Sequence, residues 1–180
     1  MVRAIMHGCN GHMGQVITGL IKADEGIELV AGIDKYTGIA NDYPVFESLE
    51  KCDVEADVII DFSNAAAADA LLTYCEEKKM PVVLCTTGLS EEQLAKIPEA
   101  AKKTAVLKSA NMSLGINLLM KLLKEATKVL APAGYDMEIV EKHHNQKLDA
   151  PSGTAIALAD SMNEAMDEAY HYVYDTEPGA

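Results

Sequence analysis

Two rhythms of hydrophobic and polar positions alternate along the first hundred residues of the chain. Short apolar runs rich in β-branched side chains are separated by stretches in which apolar residues recur every three or four positions. The first rhythm predicts buried strands and the second predicts amphipathic helices, so their alternation points to βαβ units around a parallel sheet. Residues 2–7 read as a strand, followed by a glycine turn and a helix over 13–23, and residues 28–34 read as the second strand. Residues 36–55 are mixed, with a weak extended stretch at 43–46 and a short helix near 48–51. The strongest β-branched run, 56–62, precedes an alanine-rich helix over 64–79, and a strand over 81–85 follows. Ser90 and Gln93 form the capping-box pattern of a helix reaching about residue 102, with Pro98 expected to kink or break it. Residues 105–108 close the series as one more strand.

Past residue 111 the pattern changes. Ile116, Leu119, Met120, Leu123 and Ala126 share one helical face, which predicts a long amphipathic helix over 114–130, stopped by Pro132 and Gly134. Residues 136–141 read as a strand without an evident partner, and Thr154 is expected to cap a helix reaching about 166. Residues 167–180 are polar and tyrosine-bearing, with no apolar period. The domain boundaries expected from this change are 1–113 and 114–180.

The turn Gly8-Cys9-Asn10-Gly11-His12-Met13-Gly14 lies between the first strand and the first helix. Glycines there let the backbone turn tightly and approach a pyrophosphate, whose charge meets the helix N-terminus. The G-x-x-G-x-x-G spacing is weak in isolation, and Asp34 strengthens it. Asp34 lies about 20 residues beyond the last glycine, at the end of the second strand, where a carboxylate accepts from adenine-ribose hydroxyls. Lys35 can instead take a 2′-phosphate, so NADH is favoured by Asp34 and NADPH stays open. His12 reads as a solvated or phosphate-side residue. The fold class expected is α/β, a Rossmann-like doubly wound parallel sheet followed by an incomplete α+β domain. A glycine-rich strand-to-helix turn with no ligand is the plainer alternative.

Composition narrows the classes. At 180 residues and 49% hydrophobic, the chain can bury one ordinary core plus part of another domain. No apolar tract reaches the roughly 18 residues that span a bilayer, and no secretory signal is evident, so a cytoplasmic protein is expected. Cys9, Cys52, Cys75 and Cys85 are scattered without metal-ligand spacing, so no metal site is expected. A net charge of −13 argues against nucleic acid and anionic membrane surfaces, both of which need a basic footprint.

Against that acidic background, residues 141–155 collect Lys142, His143, His144 and Lys147 ahead of Pro151-Ser152-Gly153-Thr154. Two imidazoles and an ammonium hold an anion and exchange protons near neutral pH, while N–H groups at a helix start hold a second anion. That combination suits a small dicarboxylate. Each part also has an ordinary reading: a histidine pair in a loop is usually surface or structural, and Pro-Ser-Gly-Thr is usually a helix entry.

Residues 138–155, with the His143-His144 pair, Lys147 and Ala150-Pro151-Ser152-Gly153-Thr154-Ala155, closely resemble the signature of the dihydrodipicolinate reductase (4-hydroxy-tetrahydrodipicolinate reductase) family. The glycine turn, Thr86-Thr87-Gly88 and the stretch from Ser109 to Asn117 are similar to other motifs of that family in the same order. The resemblance covers about residues 2–166. It implies hydride transfer from NADH or NADPH to a cyclic dicarboxylate, forming tetrahydrodipicolinate and water in lysine and diaminopimelate biosynthesis. His143 and Lys147 would be the acid/base pair, and His144, Gly153 and Thr154 would bind the substrate carboxylates. Ser152 can add a hydroxyl donor. Gly8, Asn10, Gly11, His12, Met13 and Gly14, with Asp34, Lys35, Cys85, Thr86, Thr87, Ser109, Ala110, Asn111 and Met112, would line the cofactor. Family members continue past residue 180, into a mixed sheet through which homotetramers form. Two other readings stand beside the reductase: a truncated, inactive nicotinamide-cofactor-binding module of the same family, and an unrelated nicotinamide-dependent oxidoreductase acting on an aldehyde or sugar.

Overall fold

The computed structural model describes residues 1–109, 111–143, 145 and 150–174. The chain divides into two compact units, Met1–Ser109 and Ala110–Ala180. In the first, six strands form one parallel sheet: β1 (Val2–His7), β2 (Ile27–Ile33), β3 (Val45–Phe46), β4 (Val58–Asp61), β5 (Val82–Leu84) and β6 (Val106–Lys108). Their order is β3-β2-β1-β4-β5-β6, so the chain winds outward from β1 in one direction and then, from β4, in the other. A parallel sheet places the carboxyl ends of all its strands on one edge, and ligands of such folds bind at that edge where the order reverses, here between β1 and β4.

Helices α1 (His12–Ile21), α2 (Ala68–Lys78) and α3 (Glu91–Ala101) connect the strands. The strands read as near-continuous apolar runs because parallel sheets are buried on both faces. Ile5, Ile33, Ile59, Leu71, Leu72 and Leu84 are at most 2% exposed and form the main core. A second cluster of Met6, Cys9 and Tyr43 packs with Ile17 and Ile60. The helix expected over 64–79 begins as a short 3₁₀ turn at Ala65–Ala67 before α2. α3 carries the expected capping box: the Ser90 hydroxyl accepts from the Gln93 N–H, and the Gln93 side chain accepts from the Ser90 N–H. Ser90→Ala should cost about 1 kcal/mol of stability, read as a lower unfolding midpoint. Of the kink or break expected at Pro98, the break does not occur: Pro98 lies inside α3 without ending it, and Ile97 and the fully buried Ala100 pack the last turn onto the core.

The second unit is built on α4 (Leu114–Leu130) and α5 (Gly153–Glu164). α4 has the expected bounds, and the Ser113 hydroxyl accepts from the Ile116 N–H at its start. The helices are joined by Ser161, whose hydroxyl donates to the Met120 carbonyl at 3.0 Å, and by the ion pair of Lys124 with Glu164. Two expectations are corrected here. Residues 136–141 form no strand, since a ladder needs a neighbour and none pairs with them among the described residues. Ser152, not Thr154, caps α5, its Oγ accepting from the Ala155 N–H at 3.0 Å.

No helix of the described residues is long and apolar enough to cross a membrane. Among those residues no cluster of His, Cys, Asp or Glu could hold a metal ion.

Candidate active site

The glycine turn closes at the carboxyl end of β1. Gly8 has φ +80°, a left-handed backbone that a side chain would strain, and a Cβ there would lie 2.7 Å from the Phe62 carbonyl oxygen. Gly11 precedes α1 and caps it with no side chain, while its N–H donates to the Gly8 carbonyl at 3.1 Å. Gly14 is buried, and a Cβ on it would lie 2.2 Å from the Gly8 carbonyl oxygen. His12 and Met13 are exposed on the first turn of α1. That turn has no side-chain cap and no acidic residue, so the dipole end of α1 is open to an anion.

Asp34 stands beside this turn with both carboxylate oxygens engaged by main chain: the Asn10 N–H donates to one at 3.0 Å and the Tyr36 N–H to the other at 2.9 Å. Each oxygen keeps acceptor capacity for a ribose hydroxyl. The Asn10 side chain acts as a brace, its amide donating to the Tyr36 carbonyl and its oxygen accepting from Asn41 at 2.8 Å. Gln15 completes the lacing by donating to the Cys9 carbonyl at 2.9 Å and to Asn41 at 3.1 Å. Asn41 and Gln15 carry no motif and were missed by sequence reasoning. Lys35 is exposed.

Along the same sheet edge, Cys85 and Thr86 are buried and Thr87 is exposed. Burial pushes the Cys85 thiol up to about 11 and that of Cys9 to about 11, so neither is a ready nucleophile. Thr86 belongs to a buried network that the sequence did not announce. Its hydroxyl donates to one Asp61 oxygen at 2.6 Å, while His7 Nδ1 donates to the other at 2.8 Å and the Ser63 N–H reaches it at 3.2 Å. Burial pushes the Asp61 carboxyl up, but hydrogen bonds from His7, Ser63 and Thr86, with the charge of His7, outweigh it and hold it below the usual carboxylate range. The Ser109 N–H donates to the Leu84 carbonyl at 3.1 Å, which sets the chain leaving β6 beside β5.

In the second unit, Asn111 and Thr154 come together, the Asn111 amide donating to the Thr154 hydroxyl at 3.0 Å. Met112 is exposed. Glu141 bridges two expected site residues: one oxygen accepts from the Ser152 N–H at 2.7 Å, and the other lies 3.5 Å from His143 Nδ1. Ser152 is buried, with its oxygen spent on the cap, and Gly153 and Thr154 form the first turn of α5. Glu141 sits inside the histidine-rich segment, so its neighbourhood was legible though its contacts were not. Ala110, His144 and Lys147 lie outside the described residues.

Comparison with known proteins agrees with these motifs. Residues 2–112 match the family model described as dihydrodipicolinate reductase, N-terminus, and residues 115–177 match its C-terminus counterpart. The chain is 52% identical over 174 residues to the 4-hydroxy-tetrahydrodipicolinate reductase of Caldanaerobacter subterraneus subsp. tengcongensis, covering 97% of this chain and 68% of that protein. It is 49% identical to the Clostridium tetani reductase over the same shares. Among solved structures it is similar to a dipicolinate-bound dihydrodipicolinate reductase from Paenisporosarcina sp. TG-14, with TM-score 0.74 and 30% identity, covering 99% of this chain and 71% of that one. The glycine turn, the Asp34 lock and the His143 segment thus occur in a chain that matches both parts of one reductase family, and the protein belongs to the dihydrodipicolinate reductase family.

Proposed function

We propose that this chain reduces 4-hydroxy-tetrahydrodipicolinate to tetrahydrodipicolinate and water with NADH or NADPH, within lysine and diaminopimelate biosynthesis in the cytoplasm. The observation that carries the reading is the open, uncapped glycine turn beside a doubly anchored Asp34, in a chain 52% identical to a curated reductase of that name. Residues 1–113 are the dinucleotide-binding domain, and residues 114–180 contribute to the substrate domain. The N–H groups at the start of α1 receive the pyrophosphate, and Asp34 accepts from the adenosine ribose. Lys35, exposed beside it, pairs with a 2′-phosphate when one is present. Of the remaining expected contacts, Cys85, Thr86 and Thr87 with Ser109, Ala110, Asn111 and Met112 complete the cofactor site.

The nicotinamide supplies hydride when bound. The substrate carbon skeleton then requires a proton, and His143 is the donor, imidazole being the side chain most often used for general acid–base transfer. Glu141 orients that ring through Nδ1 and, by holding the Ser152 N–H, ties it to the α5 N-terminus. There the N–H groups of Gly153 and Thr154 take one substrate carboxylate, while Lys147 and His144 supply the cations for the other and for proton exchange. Ser152 serves this site as the helix cap. The Paenisporosarcina relative holds dipicolinate, a planar ring with two carboxylates, and the same anion chemistry is assigned here.

The test is consumption of NADH or NADPH, followed by absorbance, on adding 4-hydroxy-tetrahydrodipicolinate, with pyridine-2,6-dicarboxylate as inhibitor. Inhibition competitive with the dicarboxylate substrate is expected. Turnover with neutral aldehydes or sugars but not with the dicarboxylate would replace this reading with another oxidoreductase.

A further inference from the structure

A carboxylate with no exposure, placed among apolar strands, is a costly choice. An apolar residue of similar volume is often as stable or more so, which leaves geometry as the reason to keep the charge. Asp61 is 0% exposed and ends β4, where its register partners are His7 on β1 and Leu84 on β5. It therefore sits at the reversal of strand order, on the edge where dinucleotides bind. Three connections converge on it. His7, one residue before Gly8, donates from Nδ1; the Ser63 N–H donates from the segment after β4; and the Thr86 hydroxyl donates from the segment after β5.

The polarity of this network follows from its acceptor. An ionised carboxylate only accepts, so Nδ1 of His7 must carry hydrogen and the Thr86 hydroxyl must turn its proton inward. The Thr86 oxygen is left as an acceptor, with the Ser63 hydroxyl 3.4 Å away, and the exposed Thr87 and Gly88 follow immediately. With Asp34 marking the adenosine side just after β2 and the glycine turn marking the pyrophosphate just after β1, the ends of β4 and β5 fall to the other half of the dinucleotide.

We propose that Asp61 is a positioning residue for the nicotinamide half of the cofactor, acting through the Thr86 hydroxyl to fix the turn at Thr86, Thr87 and Gly88. The proposal rests on the dinucleotide-binding reading of this unit and names a residue that does not itself touch ligand. Asp61→Asn is the informative change. The amide oxygen can still accept from His7, but the amide nitrogen faces Thr86 as a donor and reverses that hydrogen bond.

The experiment measures dissociation constants of the full chain for NADH and for ADP-ribose, which lacks the nicotinamide, alongside thermal unfolding. Thr86→Val and Asp61→Asn should each weaken NADH about tenfold, the worth of one charge-assisted hydrogen bond, while ADP-ribose changes by less than about twofold. Thr86→Ser, which keeps the donor, should bind NADH like the unmodified chain. If Thr86→Val fails to fold, Asp61→Asn and Thr86→Ser carry the test. Equal losses for NADH and ADP-ribose, or unchanged NADH affinity in folded Asp61→Asn, would overturn the proposal. Failure of the unmodified chain to bind ADP-ribose would instead remove the dinucleotide reading and the proposal with it.

Discussion

Replacing His143 with alanine is expected to lower kcat by about 10²–10⁴, the usual worth of a positioned general acid, while the dissociation constant of NADH stays within about twofold. The separation follows from where the groups lie. His143 belongs to the second unit and its recorded partner is Glu141, whereas the glycine turn and Asp34 belong to the first. Glu141→Gln should fall between the two enzymes, because the imidazole remains but loses the charge that orients it. Steady-state kinetics with dicarboxylate substrate, beside equilibrium binding of NADH, checks both variants. A parallel loss of cofactor affinity in His143→Ala would place that histidine in nucleotide binding and remove its assigned role.

Gly14→Ala is expected to reduce NADH affinity by about 100-fold or more, since one misplaced ångström at a phosphate turn costs several hydrogen bonds at once. Its added methyl would lie 2.2 Å from the Gly8 carbonyl oxygen and 2.7 Å from that of Cys9. Both are main-chain atoms, so the clash is relieved only by opening the turn. Overpacking of this kind typically costs about 1–3 kcal/mol, and the unfolding midpoint should fall accordingly. Gly19→Ala in the same helix is the control, because a Cβ there meets nothing within 4 Å. It should leave NADH binding unchanged and raise stability by about 0.5–1 kcal/mol, the helical penalty of glycine. Calorimetric titration and thermal melts of the two variants decide the matter, and retention of tight NADH binding by Gly14→Ala would show that the turn is not the phosphate site.

What could be read from the chain was what local spacing encodes. Val2–His7, the glycines and Asp34 lie within one βαβ unit, so the pattern alone placed turn and carboxylate together, as the Asn10 to Asp34 hydrogen bond bears out. The amphipathic run of α4 set its own ends because Ser113 precedes it and Pro132 follows. The Asp61 network was not readable: its contacts join residues 54 and 25 positions apart, and polar residues at strand ends look alike whether buried or solvated. The cap of α5 was misread because Ser152 and Thr154 both belong to the residue types favoured at helix caps. The choice fell to Ser152, whose N–H is held by Glu141 from 11 positions earlier. The strand expected over 136–141 failed for a related reason, since β structure is a property of pairs and an apolar alternation cannot supply the second member. The expected site residues Ala110, His144 and Lys147 lie outside the described residues.

The side-chain amides of Asn10, Gln15 and Asn41 join the loop after β2 to the glycine turn. On the proposed reading, the two segments that would close on opposite ends of one adenosine diphosphate are therefore a single preformed cradle before any nucleotide arrives. Ordering them is a cost met when the chain folds, not when the ligand docks, so encounter needs little rearrangement at that end of the molecule. Under that reading, discrimination among adenine nucleotides would turn on the ribose substituents meeting a carboxylate held in place by the Asn10 and Tyr36 N–H groups.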